Sequence, residues 1–364
     1  MSNQLNQDFG LTMPFNPVSF GNVAFGITRE IYKRGLYPSI FPIGNVDPSA
    51  QAPDDGFNKW LGDRINNAEK DHSRDNMVLR LWHLRGSMES HSRKNSQLLT
   101  FFECNDPTKH EINILKNQDK VWVTNRYTQR VFKLFGIDAG YAPLGFDSHN
   151  FKQLEKRPTI EGVTSFLLLG KAEKRKQTFR QLNLWAKKYG NKREYRLNVA
   201  IHNPFMQEAH LNALIGQALE GKQFWNIVFL PFMKTNAEYN QYLQSGDIVL
   251  ACSMAEGFGL GEYHAAAMGA WPVALRAHSY LDFFNDENSV GIQPNGMEVL
   301  HDGIFFAPGQ SYNQGSGFTF ADDDWYAACE EAERRAKSGI NTNGLDLQKV
   351  TYSDTVDILL KDIK

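Results

Sequence analysis

Two doubly wound α/β domains facing a common cleft are the fold predicted for this chain, on three observations. Short apolar runs alternate with segments of helical spacing along most of its length. The alternation falls into two series, and a polar, aperiodic stretch with a proline, residues 150–162, separates them. At 364 residues, with 41% hydrophobic and 22% charged, the chain can fill two or three cores, which excludes a disordered chain or a bare small module.

In the first series, residues 23–34 carry apolar side chains at helical spacing and are closed by Gly35, after which YPSIFPI reads as a strand. MVLRLWH, QLLTFF and KVWVT read as buried strands, and RYTQRVFKLFG as a helix stopped by Gly136. In the second series TSFLLLG, YRLNVAI, NIVFLPF, DIVLACS and WPVAL read as strands. Helices are expected between them over residues 178–189, 207–221, 237–244 and 261–269. The run Asp322, Asp323, Asp324 reads as the acidic first turn of a helix rather than a metal site. LDLQKVTYSDTVDILLKDI has helical spacing and is expected to pack back on a domain surface. The predicted domains are residues 1–155 and 156–340, with 341–364 as the returning helix.

Charge and cysteines narrow the class further. Lys and Arg number 39 against 41 Asp and Glu, a net charge of -2, which argues against a wholly basic nucleic-acid binder and leaves room for a local basic patch. Cys104, Cys252 and Cys329 are odd in number and widely spaced, so they are read as reduced and structural. The N-terminus shows no signal-peptide pattern and no window reaches the ~18 apolar residues of a membrane span. A cytoplasmic protein is expected.

Two stretches carry chemistry. In residues 245–275 a strand leads into a loop of Glu256, Gly257, Phe258 and Gly259, then a helix of small residues and another strand. Glycines there permit close approach of backbone, and the N–H groups at a helix start cradle an anion such as a phosphate. Glu256 beside a phosphate does not help the phosphate and is better suited to accept hydrogen bonds from hydroxyls of an attached sugar. A tight turn with a helix-start acid is the plainer alternative. The second stretch, residues 166–178, is a strand, Gly170, then Lys171, Lys174, Arg175 and Lys176. Cations beyond a strand end neutralise a departing diphosphate, whereas Lys174 and Arg175 taken alone read as a solvated charge run.

Together these stretches resemble the retaining GT-B glycosyltransferases, in particular glycosyltransferase family four, whose fold is two Rossmann-like domains with a C-terminal helix crossing back to the first. Gly170, Lys171 and Lys176 match the family's Gly-Arg-gap-Lys element, with Lys in place of Arg at Lys171 losing bidentate bonding. Glu256 through Leu260 match its Glu-Gly-Phe-Gly-Leu loop. PLGFDSHNF resembles the hinge element and SFGNVAFGITREIYKRG the N-terminal glycine-rich loop and helix, which brings in Ser19 on the acceptor side and Gly21 on the donor side. The resemblance implies a nucleotide-sugar co-substrate, UDP- or GDP-linked, with its sugar on Glu256 and its diphosphate on Lys171 and Lys176. It implies no metal and no further cofactor. The family's second Glu, which holds the ribose, is His264 here; a His cannot accept two hydroxyls as a carboxylate does, so either the donor differs or Glu262 substitutes. Glu262 and His264 point in different directions on an ideal helix.

The resemblance also assigns the N-terminal domain to the acceptor. His83 ends a predicted strand facing the cleft and could contact the donor sugar or the acceptor; Glu103 stands where many members carry a His and could orient or deprotonate an acceptor hydroxyl. Residues 72–94 hold five Lys or Arg and three His against two acids, so Arg80 and Arg85, with Arg74, Arg93 and Lys94, are expected to form a positive rim. The acceptor is expected to be a glycan, or a hydroxymethylated DNA base flipped against Trp82, Phe101 and Phe102. An inactive nucleotide-sugar binding module and a GT-B epimerase are the alternatives, separable by assaying transfer against binding.

Overall fold

In the computed structural model, which describes residues 9–361, the chain builds two parallel six-stranded sheets and one small antiparallel hairpin. The first half runs β1 (Phe9–Met13), α1 (Ser19–Lys33), β2 (Ser39–Pro42), α2 (Asp55–Asn66), α3 (Ala68–Asp71), β3 (Met77–Leu81), β4 (Ser96–Thr100), α4 (Lys109–Lys116), β5 (Lys120–Val123), α5 (Arg126–Leu134) and β6 (Gly140–Tyr141). Its strand order is β2-β1-β3-β4-β5-β6. The second half runs β7 (Thr164–Leu169), α6 (Thr178–Tyr189), β8 (Tyr195–Ala200), α7 (Glu208–Ala218), β9 (Ile227–Phe229), α8 (Asn236–Gln244), β10 (Ile248–Ala251), α9 (Leu260–Ala267), β11 (Trp271–Leu275) and β12 (Val290–Ile292). Its order is β12-β11-β10-β7-β8-β9. The chain closes with the hairpin β13 (Gly296–Val299) and β14 (Ser316–Thr319), then α10 (Asp322–Ser338), α11 (Thr342–Leu345) and α12 (Tyr352–Leu359).

Strands buried on both faces read as continuous apolar runs, which is why the sequence reveals them. Phe166 to Leu169 and Ile248 to Ala251 are buried throughout. Helices cover the sheets: Val23, Phe25 and Ile27 of α1 pack under the first, while Trp185 and Tyr189 of α6 and Trp325 of α10 pack on the second. The three cysteines are free and buried, as expected of structural thiols. Among the described residues no helix is long and apolar enough to cross a membrane. The leader-peptide reading concerns residues 1–8, which lie outside the described residues.

The segment expected to be one terminal helix is broken. A 3-10 turn over Asp346–Lys349 precedes an extended Val350, and Thr351 forms a parallel bridge with Phe146 before α12 starts. The main chains touch here: a Cβ on Gly145 would lie 1.9 Å from the Thr351 carbonyl carbon, so PLGFDSHNF needs its glycine where the chain crosses. Asp147 fixes the same turn by accepting from the His149 and Asn150 backbone N–H groups and the Asn150 amide. Beyond it, α12 packs on α1, its Tyr352 ring filling the space beside Gly26 and its Asp357 pairing with Arg34 at 2.7 Å.

The β13–β14 hairpin escapes a sequence reading because Gly296–Val299 is exposed and carries no apolar run. Its loop, residues 300–315, leans across to the first half. Leu300 and Phe306 are buried among Leu84, Leu98, Phe102 and Leu115, and the Asn313 N–H donates to Glu111 at the start of α4 at 2.9 Å.

Candidate functional site

The carboxyl ends of both sheets face one another, and Lys176, Glu256, Glu262 and Glu103 converge there. The loop before α9 is anchored on both sides. From the second half, Arg175 O accepts the Met254 N–H at 2.7 Å, Arg175 Nη1 donates to Ala255 O at 2.6 Å, and Ser279 Oγ donates to Phe258 O at 2.9 Å. From the first half, Thr124 Oγ1 and Asn125 Nδ2 both donate to Gly257 O at 2.7 Å. Gly257 is needed for this docking: a Cβ there would lie 2.7 Å from Phe101 Cβ, so its close approach is to the opposing half. Gly259, at φ 92, starts α9 in the left-handed region that glycine adopts without strain. Phe258 is a packing residue, buried against Tyr263 and Phe283. Leu260 opens α9 at the edge of this cluster.

At the centre lies a buried knot of charge. Lys176 runs along Gly170, and its ammonium is paired with Glu256 and sits 3.5 Å from Glu262. Arg175 Nη1 is 3.2 Å from both Glu256 and Glu103, and its Nη2 donates to Glu173 at 2.6 Å. The Glu256 Oε1 contacts are attractions of charge rather than well-aimed hydrogen bonds. Burial opposes ionisation of Glu256, but Lys176 and Arg175 outweigh it and hold its carboxyl at about 2. Glu103 and Glu262 go the other way, raised by burial that their cations only partly offset. Four carboxylates thus surround two fully engaged cations. Lys171 stands at the edge, its ammonium 4.9 Å from the Phe305 ring and 5.5 Å from that of Phe205.

The first half supplies the facing wall. Phe20, in the first turn of α1, packs on His83 at 4.3 Å, Phe101 at 4.6 Å and Trp82 at 6.0 Å between ring centroids. His83 stands at the open edge of this wall; partial desolvation by the side chains around it, with Lys171 as a second cause, lowers its pKa to about 4. Ser19 is exposed at the start of α1, and Gly21 is buried one turn in against Asn16.

Three expectations need correction, and His264 lies apart from them. Arg175 is not a solvated charge: it is 4% exposed, because the 3-10 turn Lys174–Lys176 points it inward under the loop while Lys174 stays outside. Arg80 is not a rim cation: it is buried, with its guanidinium on Gly86 O at 3.2 Å and Glu89 at 3.5 Å. Arg85 does stay exposed, near the Tyr312 ring. Phe102 belongs to the core, not the cleft wall. His264 does not look toward the diphosphate cluster: it stacks on Phe151 at 4.2 Å beside the crossing at Phe146, and burial lowers its pKa to about 4. Its Nε2 has no hydrogen-bond partner among the described residues. Glu262, two positions earlier on α9, points instead at Lys176, as 3.6 residues per turn requires.

A cavity of about 900 Å³ lies nearby between α6, α7 and the hairpin, lined by Glu173, Lys174, Arg180, His210 and His301 among others. It touches the basic loop from behind, and its lining includes neither Lys176 nor Glu256.

No protein-family model matches the sequence, and no curated protein matches it. Solved structures do match over 98% of this chain and 98% of theirs. Sucrose-phosphate synthase from Thermosynechococcus elongatus superimposes with a TM-score of 0.67 at 11% identity. Anabaena Alr3699/HepE, solved in complex with UDP and glucose, gives 0.62 at 13%. WaaG, a glycosyltransferase involved in lipopolysaccharide biosynthesis, gives 0.60 at 11%. The fold is GT-B. The charged knot and the glycine loop belong chiefly to the second half, and the wall of Phe20, Trp82, His83 and Phe101 belongs to the first.

Proposed function

We propose that the protein is a retaining glycosyltransferase that moves a sugar from a UDP- or GDP-linked donor to an acceptor hydroxyl. The observation that carries this reading is the convergence of Lys176, Glu256 and the start of α9 at the carboxyl ends of the second sheet, opposite the aromatic wall of the first. Open α/β sheets bind ligands there, and one similar structure was solved with UDP and glucose.

In this reading Lys176 and Lys171, with the N–H groups that open α9, receive the charge that builds on the departing diphosphate. No metal is called for. Glu256 accepts hydroxyls of the donor sugar once its pairing with Lys176 gives way to the diphosphate. The acceptor hydroxyl enters on the same face as the leaving group, and the departing phosphate oxygen takes its proton. His83, neutral, and Glu103, with a raised pKa, line the acceptor approach and orient that hydroxyl. The acceptor is a glycan or a hydroxymethylated base in DNA, reached past Trp82 and exposed Arg85.

The test is incubation with a panel of UDP- and GDP-sugars, with and without glycan acceptors and hydroxymethylated DNA. The readouts are released nucleoside diphosphate and labelled product. Transfer with retained anomeric configuration supports the enzyme. Donor binding with no turnover in any combination assigns the fold to a binding module instead.

A further inference from the structure

The knot contains a guanidinium whose reach exceeds its own half. Arg175 Nη1 lies 3.2 Å from Glu256 in the glycine loop and 3.2 Å from Glu103 in the opposing half, while also donating to Ala255 O at 2.6 Å. Nη2 is tied at 2.6 Å to Glu173, two residues back on the same loop, which fixes the plane of the fork. A Lys there supplies one compact ammonium and cannot make these separated contacts at once. The Arg175 guanidinium also lies 5.8 Å from the Phe306 ring, and Phe306 is the hairpin residue seated in the first half's core.

We propose that Arg175 is a positioning residue that ties the orientation of Glu256 to the approach of the two halves. Two carboxylates share one nitrogen, so each weakens the hold of the other. When Glu103 is drawn in, Arg175 divides between the two carboxylates and holds Glu256 aimed, with an oxygen left for a donor sugar hydroxyl. When Glu103 withdraws, Arg175 takes Glu256 fully and the sugar site is lost. This rests on the reading of Glu256 as the sugar-holding group.

The experiment titrates wild type, Arg175→Lys, Glu103→Gln and the double variant with UDP and with UDP-glucose by calorimetry, with thermal melts as the check on folding. UDP reports the nucleotide and diphosphate alone; UDP-glucose adds the sugar. The expected result is UDP affinity within about threefold of wild type in both single variants and UDP-glucose affinity about ten- to a hundredfold weaker, the size of a lost charge-assisted hydrogen bond. Glu103→Gln should add nothing once Arg175→Lys is present. A residue that only supports the fold would weaken both ligands alike, and that outcome overturns the proposal, as does wild-type UDP-glucose affinity in Arg175→Lys or independent effects in the double variant. If Arg175→Lys does not fold, Glu103→Gln, isosteric and only partly buried, must still weaken UDP-glucose selectively. Where the panel selects another donor, that donor and its nucleoside diphosphate replace UDP-glucose and UDP; failure of the wild type to bind any donor of the panel sinks the glycosyltransferase reading and this proposal together, and wild-type binding with unselective variants sinks only this one.

Discussion

Replacing Glu256 by Gln should separate two jobs that the carboxylate performs. In the structure it is paired with Lys176. On the proposed reading it competes with the diphosphate for that ammonium and, in a donor complex, receives sugar hydroxyls. A pair of unit charges about 4 Å apart is worth about 4 kcal/mol at an effective dielectric near 20. Glu262, 3.5 Å from Lys176, retains part of the competition, so about 1–2 kcal/mol of it should vanish with Glu256. UDP should then bind about 5- to 30-fold more tightly. Loss of charge-assisted bonds to the sugar, about 1.5–3 kcal/mol, should lower turnover of UDP-glucose about 10- to 100-fold. The fold should survive, because Arg175 keeps Glu173 and Glu103 and Lys176 keeps Glu262. Calorimetry with UDP, UDP release from UDP-glucose and a thermal melt measure the three quantities. Equal or weaker UDP binding refutes the competition between carboxylate and diphosphate; undiminished turnover removes Glu256 from the sugar site.

Further outcomes follow from the same geometry. Glu103 and Glu262 hold protons above the ordinary carboxylate range, and an arriving diphosphate raises them further. UDP binding should therefore take up protons and weaken as pH rises through that raised range, which calorimetry in buffers of different ionisation enthalpy detects. His264 is lowered to about 4 while the unfolded ring titrates near 6.5, so its contribution is present above pH 6.5 and is lost as pH falls toward 4. That loss is about 3 kcal/mol, and His264→Phe should flatten this part of the stability profile measured by urea unfolding. Gly257→Ala should push the loop off Phe101 and strain the bonds from Thr124 and Asn125, destabilising the protein by about 2–4 kcal/mol with a lower melting temperature. An unchanged melt would show that the loop does not dock on the first half in solution.

The sequence by itself determined the layered architecture. A doubly covered parallel strand must be apolar along its whole length, and the helices between must show a period near 3.6, so β7, β10, β11 and α6 are legible one after another. It also placed Lys176, Glu256 and Gly257 in loops after strands, where a doubly wound sheet opens its ligand sites. Tertiary structure decided the rest, because charge carries no directional signal along a chain. Nothing in Lys174, Arg175, Lys176 says that the last two turn inward and the first does not; the 3-10 turn and the carboxylates of Glu103, Glu173, Glu256 and Glu262 decide that. The same holds for Gly257, which looks like a phosphate-loop glycine and proves to be the place where Phe101 meets the loop. The hairpin whose loop buries Phe306 in the opposing half is equally silent in the sequence, since its energy comes from contacts more than a hundred residues away.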